Sequence, residues 1–183
     1  MKKENQRVRL TKTLLKNSLL KLSKKKPFNQ ITITELCDEA QINRCTFYTH
    51  YASPYDVLTE MEDELLSELK KQLITKRSSV YSLSNHIEIL SDYFRDNKDI
   101  SKLVFVNNSS NSDFAERLFK MIFSIYPAMS EGLNKFSGES RQLVTTFYVN
   151  GIYNVIRQWL LEDFSISSHD IGLLGEKITK MML

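Results

Sequence analysis

Five glycines and three prolines in 183 residues leave little material for the turns of a many-stranded sheet. That scarcity favours helices joined by short loops. No apolar run approaches the roughly 20 residues of a membrane span, and Met1 to Asn5 lack the apolar core of a secretory leader. A cytoplasmic protein without a membrane partner is expected. The two cysteines, Cys37 and Cys45, match no zinc spacing, and cytosolic thiols stay reduced. A glycine-rich phosphate loop, H-E-x-x-H and G-x-S-x-G are all missing, and the carboxylates fall on exposed helical faces. The expectation is therefore no enzyme, no cofactor and no metal. His86 and His169 stand apart from other ligand types and read as helix-surface residues.

What is present is a soluble-protein composition, 42% apolar and 26% charged, in a chain long enough to bury a core. The net charge of +3 conceals a split. Residues 1–53 carry 11 Lys/Arg against 4 Asp/Glu, and residues 54–183 carry 14 against 18. A basic head on an acidic body suits a chain whose N-terminal third meets a polyanion; lysines that merely solvate a first helix are the plainer alternative.

The segment TITELCDEAQINRCTFYTHYASPYDVL, Thr32 to Leu58, is the most informative. Thr32 with Glu35 three residues on is a capping box. It opens a short helix whose apolar face is Ile33, Leu36, Cys37 and Ala40. Gln41-Ile42-Asn43 breaks the period, and Asn43 can cap a second helix from about Arg44 to Tyr51. Phe47 and Tyr51, four apart, share the face that packs inward. The other face presents Arg44, Cys45, Tyr48 and Thr49, side chains suited to a groove. Ser53-Pro54-Tyr55-Asp56 then starts a further helix. This is the pattern of a helix-turn-helix with its second helix offered to the DNA major groove.

Around it, a first helix is predicted over about 5–24 and stopped by Pro27. Its Arg7, Arg9 and Lys12 are placed either to touch phosphates or to be solvated. A connecting helix runs from Pro54 to about Thr75, and a polar break follows at Thr75 to Ser79. Helices are then predicted at about 80–97, 98–107, 113–134 (with a kink at Pro127), 141–164 and 168–182. In the penultimate one, Leu143, Phe147, Gly151, Val155 and Trp159 form one i,i+4 row. Val144, Tyr148, Ile152, Ile156 and Leu160 form the next. Two adjacent apolar rows exceed what one core-facing stripe needs, so part of this helix should meet a second subunit. Gly151 in mid-helix, costing about 1 kcal/mol against Ala, suggests close approach of another backbone.

Thr32, Leu36, Ala40, Ile42, Thr46-Phe47-Tyr48, His50-Tyr51 and Leu58 resemble the DNA-binding domain of the TetR/AcrR family of regulators. Two positions depart from it: Gln41 stands where the family usually has Gly, and Pro54 where it usually has Lys. Pro54 removes an expected phosphate contact, for which backbone N–H groups near Tyr55 and Asp56 would have to substitute. The late stretch FYVNGIYNVIRQWLLEDF resembles the subgroup typified by regulators of dihydroxyacetone kinase operons. The resemblance implies an all-α fold: a helix-turn-helix domain at 1–53, a connecting helix at 54–75, and a regulatory and dimerisation bundle at 76–183. It implies a homodimer binding a pseudo-palindromic double-stranded operator, repressing more often than activating, under control of a small-molecule effector or partner protein. The residues expected at DNA are Thr32, Thr34, Arg44, Cys45, Thr46, Tyr48, Thr49, His50 and Tyr55. Tyr93, Phe94, Tyr126 and Phe147 are expected to border an effector cavity. Tyr148, Ile152, Val155, Trp159, Leu174 and Ile178 are expected at the dimer contact. The competing class is a helical adaptor or co-activator that engages a partner protein and binds DNA little.

Overall fold

The apolar stripe Leu15, Leu19 and Leu22 winds into α1 (Gln6–Ser23), with all three side chains buried. The computed structural model describes residues 6–76, 82–107, 112–126 and 132–182. The kink expected at Pro127 and most of the polar break after Lys76 lie outside them. A 3-10 turn at Phe28–Gln30 buries Phe28. Next come α2 (Ile33–Ala40) and α3 (Arg44–Tyr48), then α4 (Pro54–Thr75). The chain divides within α4 into two compact units, residues 1–65 and 66–183.

In the N-terminal unit both arms of the Thr32–Glu35 capping box are made. Gln41 takes the left-handed conformation (φ 55°, ψ 41°) that the missing glycine would otherwise supply. Asn43 caps α3 by accepting from the Cys45 N–H at 2.7 Å. α3 is one turn shorter than predicted. Beyond Tyr48 the chain tightens, with the N–H groups of both His50 and Tyr51 donating to the Phe47 carbonyl.

Tyr51 is instead held by its hydroxyl, which donates to Glu60 of α4 at 3.0 Å. Glu60 also receives Lys12 at 3.0 Å and Lys16 at 2.8 Å from α1. Partial burial works to raise the Glu60 carboxyl; hydrogen bonds from Lys16, Lys12 and Tyr51 outweigh it and leave it below the usual carboxylate range. Glu60 thus ties together α1, α4 and the end of α3.

The C-terminal unit holds α5 (Leu83–Asp96), α6 (Lys98–Lys102), α7 (Ser112–Ile125), α8 (Gly138–Leu161) and α9 (Ser168–Met182). Ser82 and Asn85 form a second capping box at the start of α5. The helix predicted over 98–107 is α-helical only to Lys102, and Leu103–Asn107 widens into a π-turn. The Phe105 ring there lies edge-on to Phe94 and Phe114, at 5.0 and 5.4 Å, and the buried Tyr153 hydroxyl donates to the Phe105 carbonyl at 3.4 Å. A wide turn leaves carbonyls needing such donors. No strand occurs among the described residues, and the fold is all-α.

α5 and α9 pack unusually closely. A Cβ at Gly172 would stand 2.5 Å from the Ser84 carbonyl oxygen, and one at Gly175 2.8 Å from Ile87 Cδ1. The Glu176 carboxylate of α9 accepts from the Ser84 N–H at 2.9 Å, near the start of α5. Lys180 and Ser84 together hold its pKa down to about 2.

Candidate nucleic-acid interface and effector cavity

The surface offered by the N-terminal unit depends on Phe47, which is fully buried while its neighbours on α3 face outward. Arg44, Cys45, Thr46, Tyr48 and Thr49 are all exposed, Tyr48 by 59%. Arg44 has no acidic partner among the described residues, so its guanidinium fork is available to an acceptor pair such as guanine O6 and N7. His50 is half-buried at the end of the same turn.

The remaining predicted positions are less free. The Thr32 hydroxyl donates to Glu35 at 2.7 Å and accepts from its N–H, and Lys26 adds a 2.6 Å ion pair to that carboxylate. These bonds, Lys26 first and then Thr32, hold Glu35 down to about 2. Thr34 is half-buried, and the Thr49 hydroxyl donates to the Thr46 carbonyl at 2.6 Å. The Tyr55 ring is exposed and meets Phe28 edge-on at 4.7 Å.

Where Pro54 replaces the family's lysine, Asp56 reaches back. Its carboxylate accepts from Ala52 N–H at 2.6 Å and Ser53 N–H at 3.0 Å, and its own N–H donates to the Ser53 carbonyl. Three of the amides nearest this helix start are therefore already engaged. Lys12, read from sequence as a possible phosphate contact, is bound to Glu60. Cys37 is buried, and burial pushes its thiol up, which disfavours the reactive thiolate; Cys45 is exposed on α3.

The C-terminal unit contains a cavity of about 260 Å³. α5 contributes His86, Ile87, Leu90 and Ser91, and α7 contributes Leu118, Phe119 and Ile122. α8 and α9 close it with Phe147, Tyr148, Ile152, Val155, Leu174, Ile178 and Thr179. Of the four aromatic residues expected to border a cavity, Tyr126 and Phe147 do. Tyr93 and Phe94 lie in the core beside it, because the face of α5 that carries them turns toward the Phe105 cluster.

His86, expected on a helix surface, is not there. It is half-buried in the cavity wall with its ring 4.3 Å from that of Tyr126. His169 is exposed, 3.1 Å from Glu88. Among the described residues no group of three or more His, Cys, Asp or Glu gathers as metal ligands would, and no helix is long and apolar enough to cross a membrane.

The two apolar rows of α8 separate. Tyr148, Ile156 and Leu160 turn inward. Leu143 and Phe147 are 70% and 69% exposed, Val155 is 40% exposed, and Gly151 lies between them. Two residues expected at a dimer contact, Tyr148 and Trp159, are enclosed by their own protomer. The Tyr148 hydroxyl meets Thr179 at 3.0 Å, and the Trp159 indole N–H donates to the Ile166 carbonyl at 2.9 Å while Phe164 stacks edge-on against the ring. Ile152 and Ile178 are half-buried, and Leu174 and Val155 are exposed at the cavity rim.

Residues 81–181 match the family model TetR_C_8, described as a transcriptional regulator C-terminal region. The fold is similar to that of a TetR-family transcriptional regulator from Syntrophomonas wolfei, at 13% identity over 94% of each chain and a TM-score of 0.68. It is also similar to the fatty acid degradation regulator FadR from Bacillus halodurans, at 12% identity, 97% and 96% coverage and a TM-score of 0.67. The dihydroxyacetone kinase operon activator DhaS aligns at 17% identity over 94% and 93%, with a TM-score of 0.53. Among curated proteins none matches the chain.

Proposed function

Since the chain belongs to the TetR family of transcriptional regulators, we propose that it is a dimeric DNA-binding regulator, acting as a repressor, whose operator affinity is set by an effector in the C-terminal cavity. The observation that carries the DNA reading is the outward face of α3. Arg44, Cys45, Tyr48 and Thr49 project from a helix anchored by one buried ring, within the stretch 1–53 that carries 11 Lys/Arg against 4 Asp/Glu. In a two-fold dimer, one such helix would enter the major groove in each half-site. Tyr48 and His50 would donate to phosphate oxygens and fix register, while Arg44 would read a base edge.

The test is an anisotropy titration with the duplex upstream of the protein's own coding sequence against a scrambled duplex. Arg44→Ala is expected to cost about 1–3 kcal/mol and erase the preference. Tyr48→Phe combined with His50→Ala is expected to weaken both duplexes alike. Equal affinity of the unaltered protein for both duplexes, unchanged by Arg44→Ala, would remove the regulator reading.

The exposed row Leu143, Phe147, Gly151 and Val155 supports a dimer contact, because an apolar helix face of this kind is stable when covered by its two-fold copy. A Cβ at Gly151 meets nothing within 4 Å in one protomer. Gly151→Ala should therefore favour the isolated helix by about 1 kcal/mol. Where a second backbone lies against it, the same methyl should raise the dimer dissociation constant by about fivefold to tenfold. Sedimentation equilibrium gives the answer: a dimer left intact by the change places the contact elsewhere.

The cavity supplies the control element. Phe147 and Val155 belong both to its rim and to the exposed row, so a ligand seated there would bias the packing of two protomers. Differential affinity for two dimer arrangements is what such control requires.

A further inference from the structure

We propose that the cavity takes an uncharged, largely apolar ligand of about ten non-hydrogen atoms and discriminates against carboxylates and polyols. The purpose of this binding rests on the regulatory reading above; its chemistry rests on the cavity wall alone.

Among the described residues lining the cavity there is no Lys, Arg, Asp or Glu. A carboxylate placed there would lose its water without gaining a cation, which costs several kcal/mol per ion. His86 also lines the cavity, its ring tilted against that of Tyr126 at 4.3 Å.

The hydroxyls of the wall are turned toward the protein. Ser91 donates to the Ile87 carbonyl at 2.8 Å, and Thr179 to the Gly175 carbonyl at 2.8 Å. With the Thr179 proton so placed, the 3.0 Å contact with Tyr148 is a donation from the tyrosine. Tyr126 donates to the Leu73 carbonyl at 3.4 Å. A polyol would bury several hydroxyls and find few partners, whereas an alkyl or aryl body would meet the leucines, isoleucines and phenylalanines that make up most of the wall.

Size follows from volume. A dry apolar cavity of about 150 Å³ admits benzene. At the same density the 260 Å³ here holds about ten heavy atoms, the size of a bicyclic aromatic or a nine-carbon alcohol.

Calorimetric titration of the full chain at alkaline pH, where imidazole is neutral, would compare 1-nonanol, naphthalene, nonanoate and glycerol. Nonanol and naphthalene are expected to saturate at one per chain, nonanoate to bind about tenfold more weakly or worse, and glycerol not to bind. Ser91→Leu and Ile122→Phe each add atoms at the cavity wall, and both should weaken nonanol binding by about tenfold. Two variants are used so that a folding defect in one does not decide the result. Nonanoate binding as tightly as nonanol overturns the proposal, as does nonanol binding that both variants leave unchanged. Release of the upstream duplex is followed in parallel. Neutral probes that bind without affecting DNA leave the ligand class standing and remove the regulatory reading; release by nonanoate alone does the reverse.

Discussion

Phe47→Ala is expected to cost about 3–5 kcal/mol and to abolish DNA binding at every salt concentration, the largest effect of any single change in the N-terminal unit. The ring is fully buried, 5.6 Å from Tyr48 and 5.9 Å from Tyr51. α3 is five residues long, far too short to persist on its own propensity. Its position therefore depends on this one apolar anchor, on the Asn43 cap and on the Tyr51–Glu60 bond just beyond it. Removing the ring leaves Arg44 and Tyr48 chemically intact but no longer presented on a fixed helix. Hydrogen exchange at residues 44–51, read beside the DNA titration, separates this from a loss of contacts. Phe47→Ala should deprotect the segment, whereas Arg44→Ala should weaken binding with protection unchanged. A Phe47→Ala protein that keeps both protection and affinity would show that α3 is held by something other than its core face.

Gly172→Ala should be the most damaging methyl in the C-terminal unit. The new carbon would lie 2.5 Å from a backbone oxygen, Ser84 O, and 3.3 Å from Glu88 Cβ, neither of which can rotate away. Helix α9 must then back off from α5. That movement strains the Glu176 bond to Ser84 N–H and widens the cavity wall that both helices form. Overpacking of this kind costs about 1–3 kcal/mol, and alanine's helix preference returns about 1. A net loss of up to about 2 kcal/mol would lower Tm by as much as about 4–8 °C in a chain of this size.

Gly175→Ala is the internal control. Its carbon meets Ile87 Cδ1 at 2.8 Å, the mobile end of a side chain beside a cavity, so Ile87 can turn aside. Thermal unfolding of the two variants should rank Gly172→Ala clearly below Gly175→Ala. The opposite order would mean that α5 and α9 slide more freely than their packing indicates.

The local signals in the sequence carried over well where one residue's chemistry fixes one backbone conformation. The Thr32–Glu35 box, the Asn43 cap, the start of α4 at Pro54 and the strained turn at Gln41 all follow from groups a few residues apart. Phe47 and Tyr51 are both buried as their spacing predicts, although Tyr51 lies beyond the end of α3 and not on its face. The end of α3 was less legible. Nothing local shows that Tyr51 would leave the helix, because its partner Glu60 lies on another element.

In the C-terminal unit the same division appears. Periodicity made both apolar rows of α8 visible but could not tell which one the protomer keeps for itself. Tyr148 is buried with its hydroxyl against Thr179, and Phe147, one residue earlier, is 69% exposed. His86 was misread for a related reason: Tyr126, which stacks on it, is forty residues away. The Gly172 and Gly175 pair, three apart on one helix, was the overlooked sign of close packing against α5.

By itself, then, the sequence determined the helices, their caps, the basic head and the family resemblance, all of which arise from neighbours within about one or two helical turns. The tertiary structure alone decided which apolar face is core and which is surface, where a cavity opens, and that no Lys, Arg, Asp or Glu is among the described residues of its wall. Those features depend on which distant side chains meet, and burial is a property of the assembled helices rather than of any stretch of chain.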